Sequence, residues 1–259
     1  MNKTYIWWVF LCVVSVGNIA IWLWLCWWQL GVPKEIVLQL VLSGVYVAVC
    51  AFRSFLPRID LERYCLHESP LSSVFLGRSC ATVAEICFSI QCALLLYGLG
   101  ILLNSPMITT ISFLMVPIIV VAQIFCWYAA LTLNHFWHGM EESAWVVMIV
   151  LAMGSFIVAF GQVESIYQVF MLLAILSCLG SLYIMLFVDI PMYFNRKKDS
   201  QINGLQYLTV YQGIRDACAR RVQTSDWGIW KKEALWMTCY FTLGVWLSIS
   251  MVVIELRYF

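Results

Sequence analysis

The sequence predicts an all-α, polytopic integral membrane protein with seven transmembrane helices. Three observations support this prediction: a high hydrophobic content, little charge and repeated long apolar runs. Of the 259 residues, 63% are hydrophobic and 11% are charged, and the mean hydropathy is +0.88. A soluble domain carries about 25% charged residues, so the composition excludes a soluble globular protein. The net charge of +1 gives no indication of nucleic-acid binding.

Seven runs fit the template of roughly 20 mainly apolar residues that a membrane-spanning helix needs. Glycine, proline and polar residues interrupt the apolar sequence between the runs. We number the predicted helices as spans 1 to 7 and expect them to form a single transmembrane domain over residues 1–259. The spans cover residues 5–30, 35–55, 74–103, 107–134, 142–162, 167–194 and 234–256.

Basic residues are divided unevenly between the two predicted membrane faces. With seven spans, the N-terminus and the segments that follow spans 2, 4 and 6 share one face. Only Lys34 and Arg257 lie on the other face. By the positive-inside rule, this division predicts an N-in/C-out topology, and we expect the cell inner (plasma) membrane. The first face carries Lys3, Arg53, Arg58, Arg63, Arg78, Arg196, Lys197, Lys198, Arg215, Arg220, Arg221, Lys231 and Lys232.

The long segment 195–233 is predicted to be a cytoplasmic loop with an interfacial amphipathic helix. Apolar residues recur at helical spacing between Leu205 and Val222, and the arginines of the segment occupy other faces. Trp227 and Trp230 suit the headgroup level of a membrane. We therefore expect this helix to lie on the membrane surface and to be attracted by anionic lipids.

Polar residues recur at helical spacing inside four spans, which marks the side of each helix that faces the bundle or a wet cavity. We expect Arg78 to be the charge partner of Glu85, and we infer a polar pocket that opens to the cytoplasm among spans 2 to 6. The polar lines are Gln39, Ser43, Tyr46, Cys50 and Arg53; Arg78, Thr82, Glu85, Ser89 and Cys92; Gln123, Trp127, Ala130 and Asn134; and Ser181, Met185 and Asp189.

Residues 134–143, which read Asn-His-Phe-Trp-His-Gly-Met-Glu-Glu-Ser, concentrate imidazoles and carboxylates between spans 4 and 5. If the helix persists through Gly139, His135 and His138 share a face with Glu142, and this donor set suits zinc or non-haem iron. If Gly139 ends the helix, the two histidines cap span 4. The two glutamates then begin span 5, where acids are favourable against the helix dipole. Both interpretations stay open.

The adjacent acids Glu141 and Glu142 at a predicted helix start are similar to the acidic motif of integral-membrane carotenoid cyclases. The similarity covers a few residues, and Met140 stands where that motif has a proline. It implies an isoprenoid substrate. The eleven cysteines fall mostly inside apolar runs, and we interpret them as packing residues.

We predict an integral-membrane enzyme that acts on a lipidic or isoprenoid substrate. Metal-assisted chemistry with zinc or iron and metal-free acid/base chemistry are both open. A proton-coupled transporter is the alternative, as is a non-catalytic membrane subunit that contacts other subunits through the tryptophan-rich first span. We expect membrane lipids as partners. The predicted residues are Glu85, Glu141, Glu142 and Asp189 for catalysis, Arg53, Arg78 and Asn134 for substrate binding, and His135 and His138 for the metal.

Overall fold

A computed structural model describes residues 2–28 and 34–258. The described chain is helical, and its strands are three segments of two residues each. Within these residues, seven helices are long and apolar enough to cross a membrane, which confirms the prediction of an all-α, multi-pass bundle. The predicted end of span 1, at residues 29–30, lies outside the described residues.

Ten α-helices follow one another along residues 2–28 and 34–258. A π-helical turn, Met185–Asp189, joins α6 to α7, and another, Tyr240–Gly244, joins α9 to α10. Each of these pairs therefore forms one candidate span, Tyr167–Ile202 and Trp227–Ile254. The helices are α1 Lys3–Trp28, α2 Lys34–Phe55, α3 Val74–Leu102, α4 Pro106–Thr132, α5 His135–Phe160, α6 Ser165–Ile184, α7 Ile190–Ile202, α8 Val210–Ala219, α9 Trp227–Cys239 and α10 Val245–Tyr258.

The sixth candidate span continues beyond its predicted end at residue 194. Its 36 residues reach about 54 Å at the rise of an α-helix, whereas the hydrocarbon core of a bilayer is about 30 Å thick. The polar residues 195–201 therefore extend the helix beyond the apolar run. Hydropathy detects the part of a helix that lipid surrounds, so the prediction stopped where the apolar residues stop.

The boundary between α4 and α5 differs most from the prediction. Leu133 adopts a left-handed conformation with φ 59°, and Asn134 caps α5 by accepting a hydrogen bond from the Phe136 N–H. The predicted start of span 5 at residue 142 and the predicted break at Gly139 are therefore wrong. Asparagine is among the strongest N-cap residues, so α5 begins at His135, four residues before the glycine.

A short sheet connects two loops that are far apart in sequence. Strand β1, Arg58–Ile59, pairs antiparallel with β2, Tyr64–Cys65, and β2 pairs parallel with β3, Val222–Gln223. Arg63 adds a side-chain link, because its Nε lies 2.7 Å from Asp216 Oδ2. The amphipathic helix that we predicted nearby is α8, which is shorter than the predicted pattern from Leu205 to Val222.

The chain forms two compact units, Met1–Gln91 with Ile214–Phe259, and Cys92–Gly213. The core of the first unit is rich in large side chains, among them the fully buried Trp230 and Phe241. The π-helical turn in this unit alters the backbone hydrogen bonding there. Asn18 Nδ2 donates to the Phe241 carbonyl over 3.1 Å, which satisfies a carbonyl that the bilayer interior could not solvate.

Helices α4 and α5 pack against each other along their length in the second unit. The C-terminal end of α4 is closed by the segment that leads into α8. Leu208 N–H donates to the Thr132 carbonyl over 3.1 Å, so one of the carbonyls left open at the helix end is satisfied. A Cβ atom at Gly213 would lie 2.1 Å from the Leu131 carbonyl oxygen, so this approach requires glycine.

Candidate functional site

The polar line predicted on span 2 is buried in the first unit, and so are Arg78, Glu85 and Ser89 of the line predicted on span 3. In α3, Arg78 is 7% exposed and Glu85 is 5% exposed. A polar line is buried when its helix turns it toward the bundle, as the helical spacing indicated. The five members of the line in α2 are each exposed by 5% or less, and they are Gln39, Ser43, Tyr46, Cys50 and Arg53.

The buried acid in α3 has the partner that we predicted. Arg78 Nη2 donates to Glu85 Oε1 over 2.7 Å, and the hydroxyl of Tyr240 donates to the same oxygen over 3.3 Å. Tyr240 belongs to the π-helical turn between α9 and α10, and such turns occur frequently at functional sites. Sequence reasoning missed Tyr240, because a π-helical turn leaves no clear signal in the order of residues.

A second buried guanidinium lies beside this pair, in the loop between α2 and α3. Arg58 is 2% exposed, and its Nε lies 3.4 Å from Asp60 Oδ1. None of its side-chain nitrogens has a hydrogen-bond partner among the described residues. Burial lowers the pKa of Arg58 to about 10; Asp60 opposes this shift, and the charges of Arg53 and Arg78 add to it.

The backbone of α3 provides the space for this side chain. A Cβ atom at Gly77 would lie 1.3 Å from Arg58 Cζ, so the guanidinium rests directly against the helix backbone. On another side, Arg58 Cζ lies 5.7 Å from the ring centroid of Phe52. Gly77 immediately precedes Arg78, and no sequence pattern indicated that this glycine would accommodate a different arginine.

Arg53 completes the group of cations and is held by aromatic faces. Its Cζ lies 5.5 to 5.9 Å from the ring centroids of Trp236, Tyr240 and Phe241, which is the range of cation–π attraction. We call Arg53, Arg58, Arg78, Asp60, Glu85 and Tyr240 the arginine cluster. It contains three guanidinium groups and two carboxylates, so its balance is cationic.

The second unit brings one of the predicted histidines together with an acid and a cysteine. Cys126 of α4 and His138 and Glu141 of α5 each offer a ligand atom, and these three atoms lie within 4.8 Å of one another. All three residues are buried. His138 Nδ1 lies 2.6 Å from Glu141 Oε2. The cysteine was interpreted as a packing residue, since its distance in sequence from the histidine hides the contact.

The other predicted residues of the second unit are not members of this group. His135 and His138 both stack on Tyr193, with ring centroids 6.4 and 5.1 Å apart. Glu142 and Asp189 are half-buried, and Asp189 closes the π-helical turn Met185–Asp189.

Asn134, a predicted substrate-binding residue, uses its side-chain oxygen to cap α5. Capping is a structural role, and it accounts for the position of this amide. The functional roles assigned to the site residues stay predictions.

Comparisons with protein-family models, with curated proteins and with solved structures gave no match. By their length and composition, seven helices among the described residues are candidate membrane spans, which indicates a multi-pass membrane protein.

Proposed function

We propose that this chain is an integral-membrane enzyme that acts on a lipidic substrate with a phosphate-bearing headgroup. The arginine cluster of the first unit would bind the headgroup. Glu85, together with Tyr240, would take a proton from the substrate or give one to it. One observation carries this proposal: the Arg58 guanidinium is buried without a hydrogen-bond partner among the described residues.

A phosphate fits the chemistry of the cluster. A guanidinium presents its N–H groups in a planar fork that matches two oxygens of a phosphate group. A buried charge without full compensation is costly, and the lowered pKa of Arg58 expresses the same cost. An anion that accepts hydrogen bonds from Arg58 would remove this cost, and the nearby charges of Arg53 and Arg78 would attract the anion.

Proton transfer is the second part of the proposal. Glu85 follows Arg78 by seven residues in α3, and its Oε1 accepts hydrogen bonds from Arg78 and Tyr240. A carboxylate bonded to a phenol can take up a proton from a reacting group or return one to it. In this role Glu85 is the acid/base residue, and Arg78 holds it in position.

An apolar groove on α1 and α2 favours a lipid over free phosphate as the ligand of the arginine cluster. The groove encloses about 380 Å³ and is lined by apolar surface, and Phe52, whose ring faces Arg58, is one of its members. An acyl or prenyl chain in the groove would keep its headgroup close to the arginine cluster. The lining residues are Ile19, Trp22, Gly44, Val47, Ala48, Ala51, Phe52 and Phe55.

We also propose the N-in/C-out topology, which would expose the arginine cluster to the cytoplasm. The division of basic residues between the two faces supports it, since Arg53, Arg58 and Arg78 belong to the basic face. Cysteine labelling from either side of sealed vesicles tests the orientation. Under the proposal, a cysteine introduced at Lys198 reacts from the cytoplasmic side.

Native mass spectrometry of the purified chain tests headgroup binding. We expect a prenyl diphosphate or phosphatidic acid to bind in preference to phosphatidylcholine and to inorganic phosphate. Arg58→Gln and Arg53→Gln should weaken this binding about tenfold or more, because each variant removes a cation worth at least about 1.4 kcal/mol. The matched control is Arg215→Gln, which removes an exposed arginine of the same unit and should retain binding.

Two results would count against headgroup binding. One is equal affinity for phosphatidylcholine and for the anionic lipids. The other is equal loss in the cluster variants and in Arg215→Gln, which would indicate general attraction to charge. Binding of inorganic phosphate alone, without any lipid, would mean a free anion as the ligand.

A further inference from the structure

The group of three buried side chains in the second unit has the composition of a metal site. We propose that Cys126, His138 and Glu141 form a binding site for one Zn²⁺ ion. This inference does not depend on the proposed function, because the site is built from α4 and α5 and shares no residue with the arginine cluster.

The helices bring the ligand atoms together from two sides. His138 and Glu141 are three residues apart in α5, so they project from the same face of the helix. Cys126 approaches from α4, which is the closest packing partner of α5. The Asn134 cap fixes where α5 begins and therefore which face the pair presents. Had the helix started at residue 142, neither side chain would be in this position.

A second observation also indicates a ligand. His138 is 6% exposed, and its Nε2 is buried without a hydrogen-bond partner among the described residues. An imidazole nitrogen buried in this way loses the water that would solvate it. Its ring orientation is fixed, because Tyr193 stacks on one face at 5.1 Å and Glu141 holds Nδ1 at 2.6 Å.

The donor set favours zinc over other cations. Zinc is bound in proteins by cysteine sulfur, histidine nitrogen and carboxylate oxygen, and a thiolate excludes the hard cations Mg²⁺ and Ca²⁺. Structural zinc sites use four protein ligands, whereas catalytic zinc sites use three and leave one position open. The three side chains therefore form a site that can accept one further ligand from outside the protein.

Binding requires that the donor atoms lose their protons. The thiol of Cys126 gives up its proton to solvent when the sulfur binds zinc. Zinc binding should therefore release protons.

Metal analysis of the full chain tests the site. The protein is purified in mild detergent with a tag that contains no histidine and without chelators, and its zinc content is measured by mass spectrometry. We expect about one zinc per chain. Cys126→Ala, His138→Ala and Glu141→Gln should each lower zinc affinity by more than about tenfold, since each removes a ligand.

Each variant has a control that changes the same residue type elsewhere in the protein. His135→Ala and Glu142→Gln alter the neighbouring histidine and glutamate of α5, and Cys87→Ala alters a cysteine of α3. These controls should keep their zinc. Loss of zinc in the controls to the same degree as in the site variants would overturn the proposal, as would less than about 0.1 zinc per chain in the wild type after incubation with Zn²⁺.

Cobalt provides a measurement on the wild type that does not depend on the folding of variants. Co²⁺ bound to a thiolate gives a sulfur-to-metal charge-transfer band in the near ultraviolet. The proposal predicts this band in the cobalt-loaded wild type and in Cys87→Ala. If the band is absent from the wild type, Cys126 is not a ligand and the site is refuted.

Discussion

The two units of the molecule both bury polar clusters, but the clusters differ in the charge that they leave uncompensated. The arginine cluster of the first unit contains three guanidinium groups and two carboxylates. The group in the second unit consists of a thiol, an imidazole and a carboxylate, which all offer electron pairs. Excess hydrogen-bond donors favour an anion, and excess electron-pair donors favour a metal cation.

The comparison also separates what holds each cluster together. The arginine cluster has ion pairs of its own, since Arg78 bonds to Glu85 and Asp60 lies near Arg58. In the other group, His138 Nδ1 lies 2.6 Å from Glu141 Oε2. We expect the ion pairs of the first cluster to contribute to folding without a ligand, and zinc to stabilise the second group when it binds.

The largest expected effect comes from breaking the buried ion pair of the first unit. Glu85→Leu should lower the free energy of unfolding by about 3–5 kcal/mol, because Arg78 is then buried without its main partner. The double variant Arg78→Met/Glu85→Leu should recover most of this loss, because it removes both charges. Denaturant unfolding in detergent measures the free energy of unfolding of the single and the double variant. Equal losses in the single and double variants would contradict this account of the pair.

Zinc should stabilise the protein by a smaller amount and only through the second unit. At a free zinc concentration about 100 times the dissociation constant, the expected gain is about 2.7 kcal/mol. His138→Ala should show no gain, whereas Arg78→Met/Glu85→Leu should show the full gain. A zinc-dependent shift that the arginine-cluster variant abolishes would refute the assignment of separate ligands to the two units.

A larger side chain at Gly213 tests whether the proposed zinc site of Cys126, His138 and Glu141 tolerates strain elsewhere in the second unit. Gly213→Ala would place Cβ 2.1 Å from the Leu131 carbonyl oxygen, and such overpacking costs about 1–3 kcal/mol. The zinc content should not change. Gly180→Ala, with open space around the added methyl, is the control and should not destabilise the protein. Thermal unfolding and metal analysis of the two variants provide the comparison.

The smallest effect is expected at the exposed charges of the first unit. Arg220 is exposed and lies 3.9 Å from Asp216, and ion pairs of this kind contribute about 0–1 kcal/mol. Arg220→Ala should therefore change neither stability nor lipid binding measurably. A large effect would mean that the exposed arginines, and not the buried ones, attract the headgroup.

Much of the helical architecture could be predicted because it follows from local composition. Seven apolar runs identified the seven candidate spans, and the polar lines of α2 and α3 identified the buried faces. The pairing of Arg78 with Glu85 also followed from helical spacing, since the two residues lie seven positions apart on one helix. In each case the information lies within about 20 consecutive residues.

The remaining features depend on contacts between distant segments. Cys126 lies close to His138 because a new helix, α5, begins after Asn134 and packs back along α4. Tyr240 reaches Glu85 from 155 positions away in the sequence. The parallel pairing of Val222 with Tyr64 likewise has no local signal, because a two-residue strand is too short to show alternation.

Lipid analysis of membranes tests the proposed enzyme most directly. The experiment compares four membranes. They contain the wild type, Glu85→Gln, the exposed-site control Arg215→Gln, or no added protein. If the chain is such an enzyme, the wild type and Arg215→Gln should deplete one phosphate-bearing lipid and accumulate a product. Glu85→Gln should match membranes without the protein while still binding the lipid. Identical lipid composition in all four membranes would contradict the proposal that this chain is a lipid-modifying enzyme.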